Sequence, residues 1–111
     1  MNRGEIFFAT LDPTRGSEIQ KTRPVIIVSN DAANRAASLV TVVPLTSNLS
    51  NVYPFEVKLS ASDTGLSKDS KAMAQQVRTI DKTRLGTVRK GFVRIARMRL
   101  VDDALRLHLA L

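Results

Sequence analysis

The chain contains no cysteine and no tryptophan, and His108 is the one histidine among its 111 residues. The lack of cysteine excludes a disulfide framework, a thiolate nucleophile and a cysteine-based zinc site. It also fits a reducing cytoplasm, where we expect the protein to act. A single histidine excludes a two-histidine acid–base pair within one chain. We expect His108 to pack near the end of a helix instead.

Aromatic residues and long apolar runs are also scarce. Four phenylalanines and one tyrosine are present, so a base-stacking platform of the cold-shock or RNA-recognition-motif type is poorly supported. No apolar run has the length that crosses a membrane, and the run after the N-terminus is too short for a signal segment. We therefore expect no membrane partner.

Positive charge is abundant and unevenly distributed. Seventeen Lys and Arg residues oppose ten Asp and Glu, which gives a formal charge of +7. Residues 1–60 contribute +1 of this charge and residues 61–111 contribute +6. The window 78–99 holds eight basic residues and one acid, Asp81. Such a surface predicts a polyanionic partner. Charge alone allows a nucleic acid, an acidic protein tail or a membrane surface, and of these we expect the first two.

The chain length suits one compact domain, which we place at residues 1–111. Runs rich in β-branched and apolar residues predict short strands at 5–11, 25–30, 39–45, 54–59, 70–78 and 84–89. We expect a long polar loop over 12–23, a short capped helix over 32–37, a loop at 63–65 and a tight turn at 79–82.

The last part of the chain changes to a helical period. From Phe92 onward, apolar residues recur every three or four positions, at Val93, Ala96, Leu100, Ala104, Leu107 and Leu111. This spacing predicts an amphipathic C-terminal helix with arginines on its polar face. Short strands with peripheral helices indicate a small, strongly bent antiparallel sheet, with a barrel-like, mainly β core.

Arg23 is a candidate anion-binding residue because it lies directly before Pro24, at the start of the apolar run that begins with Val25. A residue before proline is restricted to extended backbone, so its side chain projects from a fairly rigid position. The planar guanidinium matches the oxygens of a phosphate or carboxylate. The alternative is a solvated arginine at the start of a strand.

Other polar residues also stand at the ends of apolar runs. Thr46 and Gln76 do so, with Ser47, Asn48 and Arg78 close to them in sequence. If the sheet curls, these edges converge and predict a phosphodiester site beside a positive surface. Taken singly, Thr46 could be a turn cap and Gln76 a surface residue.

No cofactor or metal site is expected from the residue pattern. Asp102 and Asp103 are adjacent on the predicted helix, so their side chains point to different sides. No cluster has the ligand spacing of a zinc or magnesium site.

Several short segments, taken in order along the chain, resemble the MazF/PemK-type toxins, which are mRNA interferases of bacterial toxin–antitoxin pairs. The matching segments are 3–6, 11–18, 21–25, 29–31, 43–48, 69–71, 76–82, 84–86 and 101–105. No single segment is decisive, but the ordered set covers nearly the whole chain.

The resemblance implies an SH3-like barrel with flanking helices that acts as a homodimer. It implies metal-independent cleavage of single-stranded RNA at short motifs, leaving 2′,3′-cyclic phosphate and 5′-hydroxyl ends. A cognate antitoxin with an acidic or disordered tail would neutralise it. Arg23 and Thr46 fall on the family's catalytic positions, and the loop 12–22 matches a mobile loop bordering the RNA groove. We expect RNA contacts from Ser17, Lys21, Ser47, Asn48, Ser70, Gln76 and Arg78.

Two other classes of function remain open at this point. A CcdB-like toxin with a similar barrel would bind gyrase without cleaving RNA. A basic nucleic-acid-binding regulator would bind in a salt-dependent manner and produce no new RNA ends. The combination of Arg23, Thr46 and Gln76 favours the nuclease.

Overall fold

Seven short strands form one curled antiparallel sheet, and a long C-terminal helix packs on one of its faces. The computed structural model describes all 111 residues. The strands are β1 Glu5–Thr10, β2 Thr22–Ile27, β3 Leu39–Thr46, β4 Glu56–Leu59, β5 Ser70–Met73, β6 Arg78–Asp81 and β7 Gly91–Phe92. The helices are α1 Asp31–Ala36, α2 Ala61–Thr64 and α3 Ile95–Leu109, with 3₁₀ turns at Ala74–Gln76 and Lys82–Arg84. None of the helices combines the length and apolarity needed to cross a membrane.

Strand β3 is the centre of the sheet. One of its edges pairs with β2, and the other pairs with β6 along its first half and with β5 at its end. Val42 pairs with Arg78 of β6, and Leu45 pairs with Ala72 of β5. Three residue steps along β3 therefore correspond to six residue steps along the chain from β5 to β6. The three extra residues form the turn Ala74–Gln76. This insertion bends the sheet and breaks the strand predicted at 70–78 into two.

The sheet buries side chains on both of its faces. Successive residues of a strand point to opposite sides, and the two hydrophobic clusters follow that alternation. One cluster includes Met98 and Val101 of α3, and the other lies on the opposite face of the sheet. Ile6, Ile26 and Val43 belong to the first cluster, whereas Phe7, Val25 and Val42 belong to the second. The predicted bent antiparallel sheet with peripheral helices and a C-terminal helix is confirmed.

Two local predictions around residues 79–89 are wrong. Of the segment 79–82, predicted as a tight turn, residues 79–81 belong to β6, because Ile80 is buried in the second cluster. The turn follows it, where the Asp81 carboxylate accepts a hydrogen bond from the Thr83 backbone N–H at 2.9 Å. The predicted strand 84–89 is reduced to a single bridge between Leu85 and Ala9, and the pairing with β1 is made by β7.

Local capping explains one further difference, and strand pairing explains another. The segment 63–65, predicted as a loop, completes the short helix α2, because Ser60 and Asp63 form a capping box at its start. Gly65 ends this helix with a φ of +79°, a backbone conformation that glycine adopts without strain. Strand β2 begins at Thr22, earlier than predicted, because it pairs with β1 as far as Thr10.

The buried face of α3 differs from the predicted one. Met98, Val101 and Ala104 are buried against the sheet, and Leu105 is half-buried. Of the predicted positions, Val93 and Ala104 are buried, whereas Ala96, Leu100, Leu107 and Leu111 are exposed. The helix begins at Ile95 and not at Phe92, because Phe92 pairs with β1 as part of β7. Two apolar stripes run along this helix, and the one carrying Met98 fits the cluster around Ile26 and Leu45. His108 is exposed and its ring lies 6.3 Å from that of Phe55.

Candidate active site

The strand register of β2 and β3 brings Arg23 and Thr46 together. Val25 pairs with Pro44 in this antiparallel ladder, so two further steps along each strand place Arg23 opposite Thr46. The two side chains therefore share one face of the sheet at its rim. Arg23 Nη1 lies 3.5 Å from Thr46 Oγ1, which is a loose contact with room to adjust around a ligand.

A backbone carbonyl holds the Arg23 guanidinium in place. Arg23 Nε donates a hydrogen bond to the Gln20 carbonyl oxygen at 2.7 Å. The side chain is half-buried, and none of the ion pairs in the structure includes it. The positive charge is therefore oriented but not neutralised by a carboxylate. This arrangement is suited to binding an anion.

The Thr46 hydroxyl is buried and oriented. Thr46 is 9% exposed, and its Oγ1 accepts a hydrogen bond from the Asn48 backbone N–H at 3.2 Å as well as the contact from Arg23. A hydroxyl has two acceptor lone pairs and one proton to donate. Because donors from the protein face both lone pairs, the proton of Thr46 is left to point toward a bound acceptor such as a phosphate oxygen.

Arg23 and Thr46 line a cavity of about 220 Å³. Its apolar lining comes from Phe8, Pro24, Leu45 and Leu66. Its polar lining comes from Thr22, Ser47, Ser67, Lys68, Asp69 and Ser70. Ser70 is 4% exposed, and its Oγ has no hydrogen-bond partner in the protein. A buried hydroxyl without a partner is uncommon in proteins, and this one belongs to a residue of the cavity wall.

The structure places the remaining predicted RNA-binding residues in two groups. Ser47 joins Ser70 at the cavity, and Asn48 lies exposed beside them, with Oδ1 accepting a hydrogen bond from the Ser50 hydroxyl at 2.8 Å. The second group is associated with the loop 11–21. Ser17 and Lys21 are exposed in that loop.

Gln76 and Arg78 also belong to this second group. Both side chains are bonded to the loop backbone and do not line the cavity. Their predicted contact with RNA stays a prediction.

Sequence reasoning missed the part that Gln20 plays and the cavity walls formed by Phe8 and 66–69. No side-chain pattern could have marked Gln20, because its backbone carbonyl makes the contact. The polar run 67–70 before β5 was the available signal for the cavity wall.

Several basic side chains of the window 78–99 make hydrogen bonds or ion pairs within the protein. Arg84 Nη1 donates to the Asp12 carbonyl oxygen at 3.0 Å. Arg89 and Arg97 form ion pairs with Glu5 and Asp63 at 3.2 and 3.3 Å. Arg94 and Arg99 are exposed on or next to α3 and remain free to attract a polyanion. No three acidic or histidine side chains lie close enough together to hold a metal ion.

A buried carboxylate supports the loop that follows Thr46. Glu56 accepts hydrogen bonds from Lys71 Nζ at 2.9 Å, from Gln75 Nε2 at 2.7 Å and from the Tyr53 backbone N–H at 3.1 Å. Burial raises the pKa of Glu56, but the hydrogen bonds and the Lys71 charge together outweigh it and hold the pKa below its ordinary value. Lys71 is the β5 residue paired with Thr46, so this network lies next to the site.

Replacing Glu56 with glutamine should destabilise the protein by about 3 kcal/mol at pH 7, because Lys71 stays buried without its counter-charge. Since the pKa of Glu56 is lowered in the folded state, its stabilising effect is present above the ordinary carboxyl pKa. It is lost as the pH falls through the folded-state pKa.

Urea unfolding between pH 7 and pH 3 measures the difference between wild type and E56Q, which should shrink toward acid pH. The exposed pair of Asp103 and Arg106 offers a control, because D103N should change stability by less than about 1 kcal/mol. A wild-type advantage that stays constant down to pH 3 would contradict the role given to the Glu56 charge.

Comparison with known proteins identifies the family of this chain. Residues 2–109 match the family described as PemK-like, MazF-like toxin of type II toxin–antitoxin system. The chain is 50% identical over 117 positions to endoribonuclease MazF9 of Mycobacterium tuberculosis, covering 100% of this chain and 98% of that protein. It is 37% identical to endoribonuclease EndoA of Bacillus subtilis, covering 100% and 96%.

Solved structures show the same fold. A mycobacterial endoribonuclease, determined in complex with its cognate antitoxin, superimposes with a TM-score of 0.81 at 29% identity, covering 100% of this chain and 96% of that one. MazF from Deinococcus radiodurans gives a TM-score of 0.86 at 25% identity, covering 100% and 97%. These similarities favour the endoribonuclease over the gyrase-binding and regulatory alternatives. The chain belongs to the PemK-like, MazF-like toxins of type II toxin–antitoxin systems, whose relatives named here are endoribonucleases.

Proposed function

We propose that this protein is a metal-independent endoribonuclease that cleaves single-stranded RNA, with Arg23 and Thr46 as its catalytic residues. The observation that carries the proposal is the meeting of these two side chains, from neighbouring strands, at the mouth of a cavity. The expected products are a 2′,3′-cyclic phosphate and a 5′-hydroxyl.

In this reaction the ribose 2′-hydroxyl loses its proton and attacks the adjacent phosphorus. A bond from the 2′-oxygen to phosphorus forms, the bond to the 5′-oxygen breaks, and the departing 5′-oxygen takes up a proton. Arginine is a poor base because its pKa exceeds about 12. Arg23 therefore stabilises the negative oxygens of the phosphorane and also donates a proton to the leaving oxygen. Thr46 orients the scissile phosphate through its hydroxyl.

The remaining residues fit the recognition of extended RNA. Specific proteins read single-stranded RNA by accommodating splayed bases in pockets, and the cavity beside Arg23 offers apolar walls with the free Ser70 hydroxyl. The other proposed RNA-binding residues are Ser47, Asn48, Ser17, Lys21 and Arg78. No side chain of the site is assigned as the general base, and a water or the substrate itself can serve.

We further propose that residues 1–111 act as one toxin domain, that the protein works as a homodimer, and that it acts in the cytoplasm, where messenger RNA is translated. A cognate antitoxin with an acidic or disordered tail would neutralise it, in keeping with the antitoxin complex of the mycobacterial relative. The charge of +6 on residues 61–111 attracts such a tail.

Incubating the purified protein with a long RNA in excess chelator tests this function. We expect discrete new ends that carry 5′-hydroxyls and 2′,3′-cyclic phosphates, mapped by ligation-based sequencing. Cleavage that requires added divalent metal would refute the mechanism. Binding without new ends would favour the regulatory alternative, and inhibition of gyrase without RNA cleavage would favour the CcdB-like one.

A further inference from the structure

Side chains from the segment 76–84 hold the loop 11–21 against the sheet. The Gln76 carboxamide uses both of its ends: Oε1 accepts a hydrogen bond from the Ile19 N–H at 3.2 Å, and Nε2 donates to the Ser17 carbonyl oxygen at 3.2 Å. Arg78 Nη1 donates to the Leu11 carbonyl oxygen at 3.1 Å. The arginine therefore fixes the start of the loop, and the glutamine fixes its middle.

The three-residue insertion in the sheet explains why Gln76 reaches the loop. In an unbroken strand, the residues between Ala72 and Arg78 would continue the ladder with β3, whose register changes at this point. The turn Ala74–Gln76 lifts Gln76 out of the ladder. Gln76 is half-buried. Its hydrogen bond from the Ile19 N–H is partly buried, whereas the one to the Ser17 carbonyl oxygen is exposed. Loss of the glutamine side chain therefore leaves a partly buried backbone N–H without its partner.

The same loop orients the catalytic arginine. Gln20 follows Ile19 directly, and its carbonyl oxygen receives the 2.7 Å hydrogen bond from Arg23 Nε. Between Gln20 and Arg23 in the chain, Lys21 has a φ of +72°, a left-handed conformation that is uncommon for a residue with a side chain. This conformation turns the chain so that the Gln20 carbonyl faces Arg23. The anchored residue Ile19 and the orienting carbonyl are therefore one residue apart.

We propose that Gln76 is a positioning residue for Arg23, acting through the loop backbone at Ile19 and Gln20. Its carboxamide fixes the middle of the loop, the loop fixes the Gln20 carbonyl, and that carbonyl fixes the guanidinium beside Thr46. This role differs from the direct substrate contact that the family resemblance implies for Gln76. It rests on the proposed function in one respect, namely that Arg23 is catalytic.

The first test is made on the free protein, without RNA. The Arg23 Nε–H group gives a ¹⁵N–¹H NMR signal, which is assigned by its loss in the R23K variant. In Gln76→Ala, we expect hydrogen exchange of this group to become at least about tenfold faster, because local opening of the loop frees it. Gln75→Ala is the matched control, because the Gln75 side chain donates a hydrogen bond to Glu56 and not to the loop. In this variant, the hydrogen-exchange rate of the Arg23 Nε–H group should equal that of wild type.

The second test is kinetic. A misplaced catalytic group lowers the rate of the chemical step with little effect on ground-state binding. We therefore expect Gln76→Ala to lower kcat about tenfold while KM for a short RNA stays within about twofold. Gln76→Glu keeps an oxygen that accepts the Ile19 N–H but loses the donor to the Ser17 carbonyl oxygen. In this variant, hydrogen exchange of the Arg23 Nε–H group should be faster than in wild type and slower than in Gln76→Ala. Gln76→Glu provides a second variant if the alanine variant folds poorly.

The outcomes separate this inference from the proposed function. If hydrogen exchange of the Arg23 Nε–H group is as slow in both Gln76 variants as in wild type, the inference is overturned, whatever the activity. A raised KM with unchanged kcat also overturns it, in favour of direct substrate contact. If Arg23→Ala still cleaves RNA normally, the assignment of Arg23 in the proposed function fails, and the Nε–H signal alone decides whether Gln76 positions that side chain.

Discussion

Replacing Arg23 with alanine should lower the rate of RNA cleavage by at least about a hundredfold while the fold is retained. A fixed donor aimed at developing charge typically contributes on the order of 3–4 kcal/mol to the transition state, and no other cation makes a hydrogen bond to Thr46 Oγ1. The fold should survive because the Arg23 side chain is only half-buried and forms no ion pair. Initial cleavage rates and circular dichroism measure the two quantities.

Two further variants separate geometry from charge. Arg23→Lys keeps the positive charge but loses the planar fork and the Nε donor to Gln20, so we expect an activity between wild type and alanine. Arg35→Ala removes the same charge from an exposed position on α1 and should leave the rate within about twofold, because a distant surface charge is screened by salt. A purified Arg23→Ala protein that cleaves at the wild-type rate would remove Arg23 from the mechanism.

A single deoxyribose at the mapped cleavage site should abolish cutting at that bond. The proposed reaction takes its nucleophile from the substrate, so removing the 2′-hydroxyl leaves no atom to attack the phosphorus. The expected loss therefore exceeds that of any single protein variant, whose remaining groups retain part of the catalysis. Gel analysis of an end-labelled oligonucleotide measures the remaining cleavage.

The substituted oligonucleotide should still bind, because the phosphates and bases that the site contacts are unchanged. We expect it to inhibit cleavage of the all-ribose RNA competitively. The control is an oligonucleotide whose single deoxyribose lies several nucleotides from the cleaved bond. This control should be cut at nearly the normal rate. Efficient cutting next to the deoxyribose itself would mean that water attacks the phosphorus, and would exclude a cyclic phosphate product.

Local sequence patterns predicted most of the strands correctly. The run from Val25 to Ile27 and the run 39–45 are both strands, because β-branched residues favour extended backbone and both faces of the sheet are buried. The Asn30 cap was also predictable: its side chain accepts the Ala33 N–H at 2.8 Å. Failures occurred where the pattern was ambiguous, as in the segment 70–78, which has the composition of one strand but is divided by a 3₁₀ turn.

The buried side of α3 shows why periodicity alone was insufficient. Leu100 and Leu107 continue an apolar series as regular as that of Met98 and Val101. Only the position of the helix over the sheet selects between the two stripes, and that position depends on the shape of the cluster beneath it. Hydropathy shows that a helix has an apolar side, but it does not identify the partner surface.

The sequence was sufficient to select Arg23 and Thr46 as candidate site residues, but it did not show how they are arranged. Arg23 could be identified from its position before Pro24, and Thr46 from its position at the end of an apolar run, because the constraints on both are local. Their meeting depends on the register of β2 with β3, which is set by pairing between residues 15 to 19 positions apart. The attachment of Gln76 to the loop depends on contacts that span 57 and 59 positions. Residue types and local backbone preferences are properties of the chain, whereas pairings over such separations exist only after the sheet has curled.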